Sequence, residues 1–156
     1  MKIKIITIGN KMPAWINEGY IEYAKRLPSH CAIELIEISM PKRSSSTSTD
    51  KLIEKESELL LNAIQSNDYV IALDEKGTQW STKELAGELS RWQHLGQNVV
   101  LLIGGPDGLG DVCKQRADQL WSLSKLTLPH PLVRVMLAEQ LYRAQSLLMN
   151  HPYHRS

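Results

Sequence analysis

Strands and helices alternate along this chain of 156 residues, and the alternation predicts an α/β fold with a largely parallel sheet flanked by helices. Three observations carry the prediction. Apolar runs of strand length recur at 2–8, 32–38, 69–73, 98–105 and 121–128. Between them lie stretches whose apolar residues return every three or four positions. Glycine, proline and serine punctuate the joints, where one element has to stop and another start.

The first run, KIKIITI (2–8), largely alternates polar and apolar residues, which suits a strand, and Gly9-Asn10 is a turn signal. Pro13 stands where a first helical residue would. Trp15, Ile16, Tyr20, Tyr23, Ala24 and Leu27 then recur at helical spacing until Pro28 stops them. AIELIEI (32–38) reads as the second strand. MPKRSSSTSTD (40–50) is a polar, Ser/Thr-rich segment expected to be a solvated, mobile loop, in which Lys42 and Arg43 could meet phosphate. Leu52, Ile53, Leu59, Leu60, Ala63 and Ile64 mark a second helix, and YVIAL (69–73) a third strand.

STKE (81–84) is a capping box: Ser81 accepts from the backbone near Glu84, and Glu84 reaches back. Leu85, Ala86, Leu89 and Trp92 form the apolar face of that helix, with Gly96 as its stop. NVVLLIGG (98–105) is a buried strand running into glycines. Residues 111–120 suit a short helix, and WSLSKLTL (121–128) another strand. The last helix is expected to begin at Pro131, a suitable first helical residue, and to run to about Met149.

This length suggests one domain spanning 1–156, and such a domain buries roughly 70% of the surface of its unfolded chain. Cys31 and Cys113 lie far apart without CxxC spacing and read as buried or partly buried free thiols of a reducing compartment. The N-terminus lacks the apolar run of a signal peptide. Nothing approaches the ~20 apolar residues of a membrane span, so a cytoplasmic protein is expected. The net charge of +1 neither supports nor excludes a nucleic-acid partner. Charge is gathered at one end, however: from Thr127 onward Arg134, Arg143 and Arg155 stand against Glu139 alone, accompanied by His130, His151 and His154.

In α/β sheets ligands gather beyond the carboxyl ends of strands. Three such ends look specialised: Leu73-Asp74, IGGPDG (103–108) and the opening stretch. IGGPDG is neither a dinucleotide fingerprint nor a phosphate loop, because the glycine spacing is wrong and no GK[ST] follows. LTLPHPLVR (126–134) holds His130 between two prolines. Taken alone it is an extended linker into a helix; its functional reading is a preset backbone that could recognise adenine through main-chain groups. The terminal NHPYHRS offers aromatic, imidazole and guanidinium groups suited to a base and a phosphate, or else a frayed end. No metal-ligand set and no nucleophile motif stands out.

LLIGGPDG, SLSKLTLPHPLVRVMLAEQLYRA and NHPYHR, in this order, together with GNKMPAW at 9–15, resemble the SPOUT-class ribosomal RNA large subunit methyltransferase H family over essentially the whole chain. SSSTSTD is the poorest match. The resemblance implies an α/β knot with a C-terminal trefoil knot, a homodimer, and S-adenosylmethionine as cofactor. It implies methylation of N3 of a pseudouridine in 23S rRNA, expected in the context of the assembled ribosome. By resemblance the cofactor lies against Leu73, Gly105, Ser124, Lys125, Leu126, Thr127, Leu128 and Pro129, while Glu139, Arg143, Tyr153 and His154 serve RNA binding or catalysis. Glu139 and Arg143, four apart, also suit a plain helical ion pair; His154 and Glu139 are both candidates for the proton acceptor. The last helix carries apolar residues nearly all round, which suits a dimer contact or a buried core. Arg134 lies half a turn out of phase with Arg143 and should serve a different surface. A non-catalytic ribosome-binding factor of the same fold is the rival reading, disfavoured by the intact cofactor segments.

Overall fold

The computed structural model describes residues 1–42 and 44–155, with side chains as far as Tyr153. Five strands form one sheet: β1 (Ile3–Ile8), β2 (Ile33–Ile38), β3 (Tyr69–Gln79), β4 (Val99–Ile103) and β5 (Gln119–Ser122). Between them run α1 (Ala14–Ala24), α2 (Thr49–Asn62), α3 (Thr82–Gln93) and α4 (Asp111–Arg116), and α5 (His130–Leu148) follows. The spatial order is β2-β1-β4-β3-β5, and every neighbouring pair is parallel. The predicted α/β class is therefore correct.

A parallel sheet is covered on both faces, so its central strands lose the polar face that an exposed sheet would show. In β4 all of Val99 to Ile103 is buried. One face carries Ile3, Ile5, Ile71, Leu101 and Trp121, packed under α1, α3 and α5 with Tyr20, Leu89, Trp92 and Leu137. The other carries Ile6, Ile8, Val70, Val100 and Leu102 against Leu60 of α2 and Cys113 of α4. Among the described residues no helix is long and apolar enough to cross a membrane.

The capping box at Ser81 and Glu84 forms as expected. Several boundaries move. The predicted strand over 121–128 ends at Ser122, because serine hydroxyls take over the backbone bonding: Ser122 Oγ donates to the Ser124 carbonyl (3.1 Å), and the Leu126 N–H donates to Ser124 Oγ (2.8 Å). The third strand outruns its predicted end at Leu73, rejoining β5 at Thr78 after an irregularity. α5 starts at His130 with Pro129 as its cap, one residue before the expected start, and Pro13 caps α1 instead of opening it. The Ser/Thr-rich loop is shorter than expected, since Ser48 caps α2 by accepting from Lys51 N–H (3.2 Å). Arg43 lies outside the described residues.

α5 buries Val133, Leu137, Ala138, Leu141 and Ala144 against the sheet and its neighbouring helices within this chain, which accounts for much of its apolar surface. Arg134 lies on the same helix with none of its surface exposed. Its Nη1 donates to Glu37 Oε2 on β2 at 2.6 Å, and Nη2 reaches the Gly9 carbonyl at the end of β1 at 3.4 Å. Nearby, burial pushes the Tyr20 hydroxyl up to about 12, against the opposing pull of Arg134.

Two predictions follow from this packing. Arg134→Ala removes a buried, charge-assisted hydrogen bond and should cost about 1.5–3 kcal/mol, less than a fully buried pair because the Glu37 left behind is exposed to solvent. Urea unfolding measures this, and a loss below about 1 kcal/mol would show that the pair is not structural. Burial also pushes the Cys31 thiol up to about 11 and raises that of Cys113. Both should resist a thiol-specific disulfide reagent at pH 8 until urea unfolds the chain; immediate reaction of the native protein would contradict their burial.

Candidate functional site

Beyond the carboxyl ends of β4 and β5, beside the point where β3 parts from β4, the chain leaves a cavity of about 670 Å³, within the range of small-molecule sites. Three segments wall it: Leu73 to Glu75 at the irregularity within β3, the turn from Ile103 at the end of β4 to Leu109, and the stretch from Trp121 to His130. Leu73, Gly105, Ser124, Leu126, Thr127, Leu128 and Pro129 all line it, as the resemblance implied. Lys125, the remaining one, is exposed and is not among the lining residues.

Much of the wall is main chain. Gly104 lies against the backbone of Gly108 and Leu109, so closely that a Cβ would come within 2.6 Å of the Gly108 carbonyl carbon. A side chain there would open the turn. On the far wall, the two serine bonds fold residues 122–126 onto themselves, and Pro129 leads into α5. Among the described residues no main-chain bond ties 123–128 to another element. Apart from the Ser124 carbonyl and the Leu126 N–H, which the serine hydroxyls engage, the backbone groups there can meet a ligand at little ordering cost.

The electrostatics of the lining were not read from the sequence. Asp74, Glu75 and Asp107 face the cavity against the ammonium of Lys114, which lies 3.5 Å from Asp74. Three carboxylates against one lysine favour a cationic guest and oppose a phosphate. Behind Gly105 packs Glu56, 2% exposed, with its carboxylate 2.7–3.0 Å from where a Gly105 Cβ would stand. A signal for it existed: Glu56 falls between Leu52 and Leu60 at four-residue spacing, an acid within the buried stripe of α2.

The C-terminal candidates assemble elsewhere. Glu139 Oε1 accepts from Arg143 Nε (2.8 Å), Arg143 Nη2 (2.7 Å) and the Tyr153 hydroxyl (3.0 Å), and Oε2 accepts from Gln140 (2.8 Å). The ion pair expected from spacing is present, and it also gathers in the tail. Asn150, with φ of 55°, turns the chain back after α5. Tyr153 then stacks on Tyr142 at 4.6 Å, and the Arg143 guanidinium lies 4.8 Å from the Tyr153 ring. Arg26, just past α1, joins over Tyr23, Tyr142 and Tyr153 at 5.2–5.8 Å, a contribution that no local motif announced. Hydrogen bonding to Glu139 raises the Arg143 pKa, and burial, then Glu139, raise that of Tyr153. The side chain of His154 lies outside the described residues.

None of Glu139, Arg143 and Tyr153 lines the cavity. Glu139 and Arg143 follow His130 by nine and thirteen residues, or about 14 and 20 Å along the helix at 1.5 Å per residue. Arg134 serves neither group directly, being buried under the sheet edge.

Comparisons with known proteins agree with this architecture. A family model described as "Predicted SPOUT methyltransferase" matches residues 1–154. A protein of Marinomonas sp. (strain MWYL1) named ribosomal RNA large subunit methyltransferase H is 57% identical over 155 residues, covering 99% of this chain and all of that protein. A protein of the same name from Hahella chejuensis (strain KCTC 2396) is 54% identical, covering 99% of each. Among solved structures, a probable methylase family protein from Haemophilus influenzae Rd KW20 superposes with a TM-score of 0.62 at 12% identity, over 97% of this chain and 69% of that one. A probable methyltransferase from Bordetella pertussis Tohama I does so with a TM-score of 0.58 at 14% identity, over 91% and 95%. With a family model spanning nearly every residue and full-length relatives above half identity, this chain belongs to the SPOUT methyltransferase family.

Proposed function

We propose that this chain is an S-adenosylmethionine-dependent enzyme that methylates N3 of a pseudouridine in 23S ribosomal RNA, acting on the assembled ribosome as a cytoplasmic homodimer. In this reading residues 1–156 form one SPOUT domain closed by a C-terminal trefoil knot. The observation that carries it is the cavity at the strand ends, walled by free main chain and lined by more carboxylates than cations. Adenine can be read by backbone N–H and C=O groups. A sulfonium and an ammonium both suit Asp74, Glu75 and Asp107, whereas a nucleotide phosphate does not. The names of the full-length relatives support the ribosomal RNA substrate.

When bound, S-adenosylmethionine supplies an electrophilic methyl carbon. The chain's task is chiefly alignment, which is worth many powers of ten when the reacting atoms are held near contact. The glycine turn and the 124–129 wall fix the donor; the carboxylates hold its charged end; Trp121 and Val133 exclude water from the floor. To accept the methyl group, N3 would have to release its proton to a group of the enzyme. Both oxygens of Glu139 already accept hydrogen bonds, which makes that residue the anchor of the tail and leaves His154 as the proton acceptor in this reading. Arg143 and Tyr153 then present positive charge and an aromatic face to the RNA.

The separation of about 14–20 Å between cavity and tail along α5 supports the dimer, in which one copy's tail completes the other's cavity. The exposed Trp15 and Ile21 on α1 and Met149 past α5 offer apolar surface for it.

Two experiments test this reading. Mass spectrometry of 23S rRNA from cells with and without the protein should show one methylated pseudouridine appear only in its presence, and calorimetry should find S-adenosylmethionine binding. An unchanged modification pattern, or no binding, would overturn the assignment. For the composite site, Thr127→Trp fills the donor cavity at an exposed position and Arg143→Ala breaks the tail. Each variant alone should be inactive, and mixing the two should restore methylation through hybrid dimers; no recovery would show that each chain works by itself.

A further inference from the structure

A second cavity, of about 530 Å³, opens beyond the carboxyl ends of β1 and β2. It is lined by Gly9 to Pro13, by Ser39 and Met40, and by His130 and Pro131. His130 lines the first cavity as well, so the two are neighbours with one imidazole between them. β1 and β4 adjoin in the sheet, and the chain runs outward from them in opposite directions. A cavity pair astride that boundary occupies the place where open α/β sheets hold ligands.

The lining of the second cavity differs in kind. Met12 and Met40 offer polarizable thioethers, suited to the face of a flat ring. Asn10 and Ser39, joined at 2.9 Å, offer an amide and a hydroxyl. Lys11 sits exposed at the rim, with no ion pair among the described residues. Gly9 keeps the floor open: its φ of +109° excludes ordinary side chains, and a Cβ there would lie 3.0 Å from Met12 and 3.5 Å from His130. Burial and, after it, the Arg134 cation beside it lower the pKa of His130. Its Nδ1 is shut off from solvent without a partner, which leaves Nε2 to meet a ligand.

We propose that this second cavity receives the acceptor nucleotide: one unstacked pyrimidine of the RNA lies between Met12 and Met40, its phosphate near Lys11, its edge against His130. The wall between the cavities then becomes the meeting place of base and methyl donor. This inference rests on the reading of the chain as an RNA methyltransferase and adds the location of its acceptor.

Filling the cavity from its exposed rim tests it. Ser39→Trp and, independently, Met40→Trp should bind S-adenosylmethionine as the unaltered protein does, sediment at the same oligomeric state, and methylate ribosomes about 100-fold more slowly, the loss expected of a misplaced reactant. Methylation by both variants at the unaltered rate would overturn the inference while leaving the enzyme assignment standing. Conversion of both to monomers would overturn it too, by making the cavity a contact between copies. An unaltered protein that methylates no ribosomal RNA would overturn the assignment itself, and this inference with it.

Discussion

A guanidinium with no exposed surface holds the working end of this molecule together. Arg134 rises from the first turns of α5 and is bonded to Glu37 on β2 and to the carbonyl of Gly9 at the end of β1. A buried cation tolerates little freedom, since a break would strand charge in a low-dielectric interior. The start of α5 is therefore pinned to the two strands farthest from it in sequence. Pro129 and His130, one turn earlier on the same helix, inherit that position. The wall that divides the two cavities thus begins one helical turn from this anchored cation.

Around that fixed point the site divides its labour. The larger cavity is made of backbone, opened by Gly104 and left free of main-chain pairing over 123–128, with acids supplying the charge. The tail is made of side chains: Glu139 gathers Arg143, Tyr153 and Gln140, and Arg26 lies over the aromatic rings. Main chain suits a small ligand whose donors and acceptors are fixed, whereas arginine and tyrosine suit RNA, whose phosphates and unstacked bases vary in position. α5 carries both parts at different heights.

Much of this was legible in the sequence, and the limits have physical causes. Parallel strands and their helices show as apolar runs and periodic faces, because burial on both sides of a sheet leaves no other choice of residue. The capping box at Ser81 is local chemistry and was readable as such. Seven of the eight residues that the resemblance assigned to the donor line the larger cavity. What failed was set by competition between short-range bonds and the sheet. Ser122 and Ser124 draw the chain out of a strand that WSLSKLTL alone would extend. Glu37 and the reach of Arg26 to Tyr142 and Tyr153 were invisible because these contacts join residues about a hundred or more positions apart. Glu56 and Arg134 look like surface charges in composition, and only their place in a buried stripe says otherwise.

A crystal structure with S-adenosylmethionine bound tests the central claim most directly. The account predicts the adenosyl group between the Gly104–Gly108 turn and residues 124–129, with the sulfonium on the side of Asp74 and Asp107 and its methyl directed toward His130. A donor seated against the tail cluster, or with its methyl turned away from His130, would contradict it.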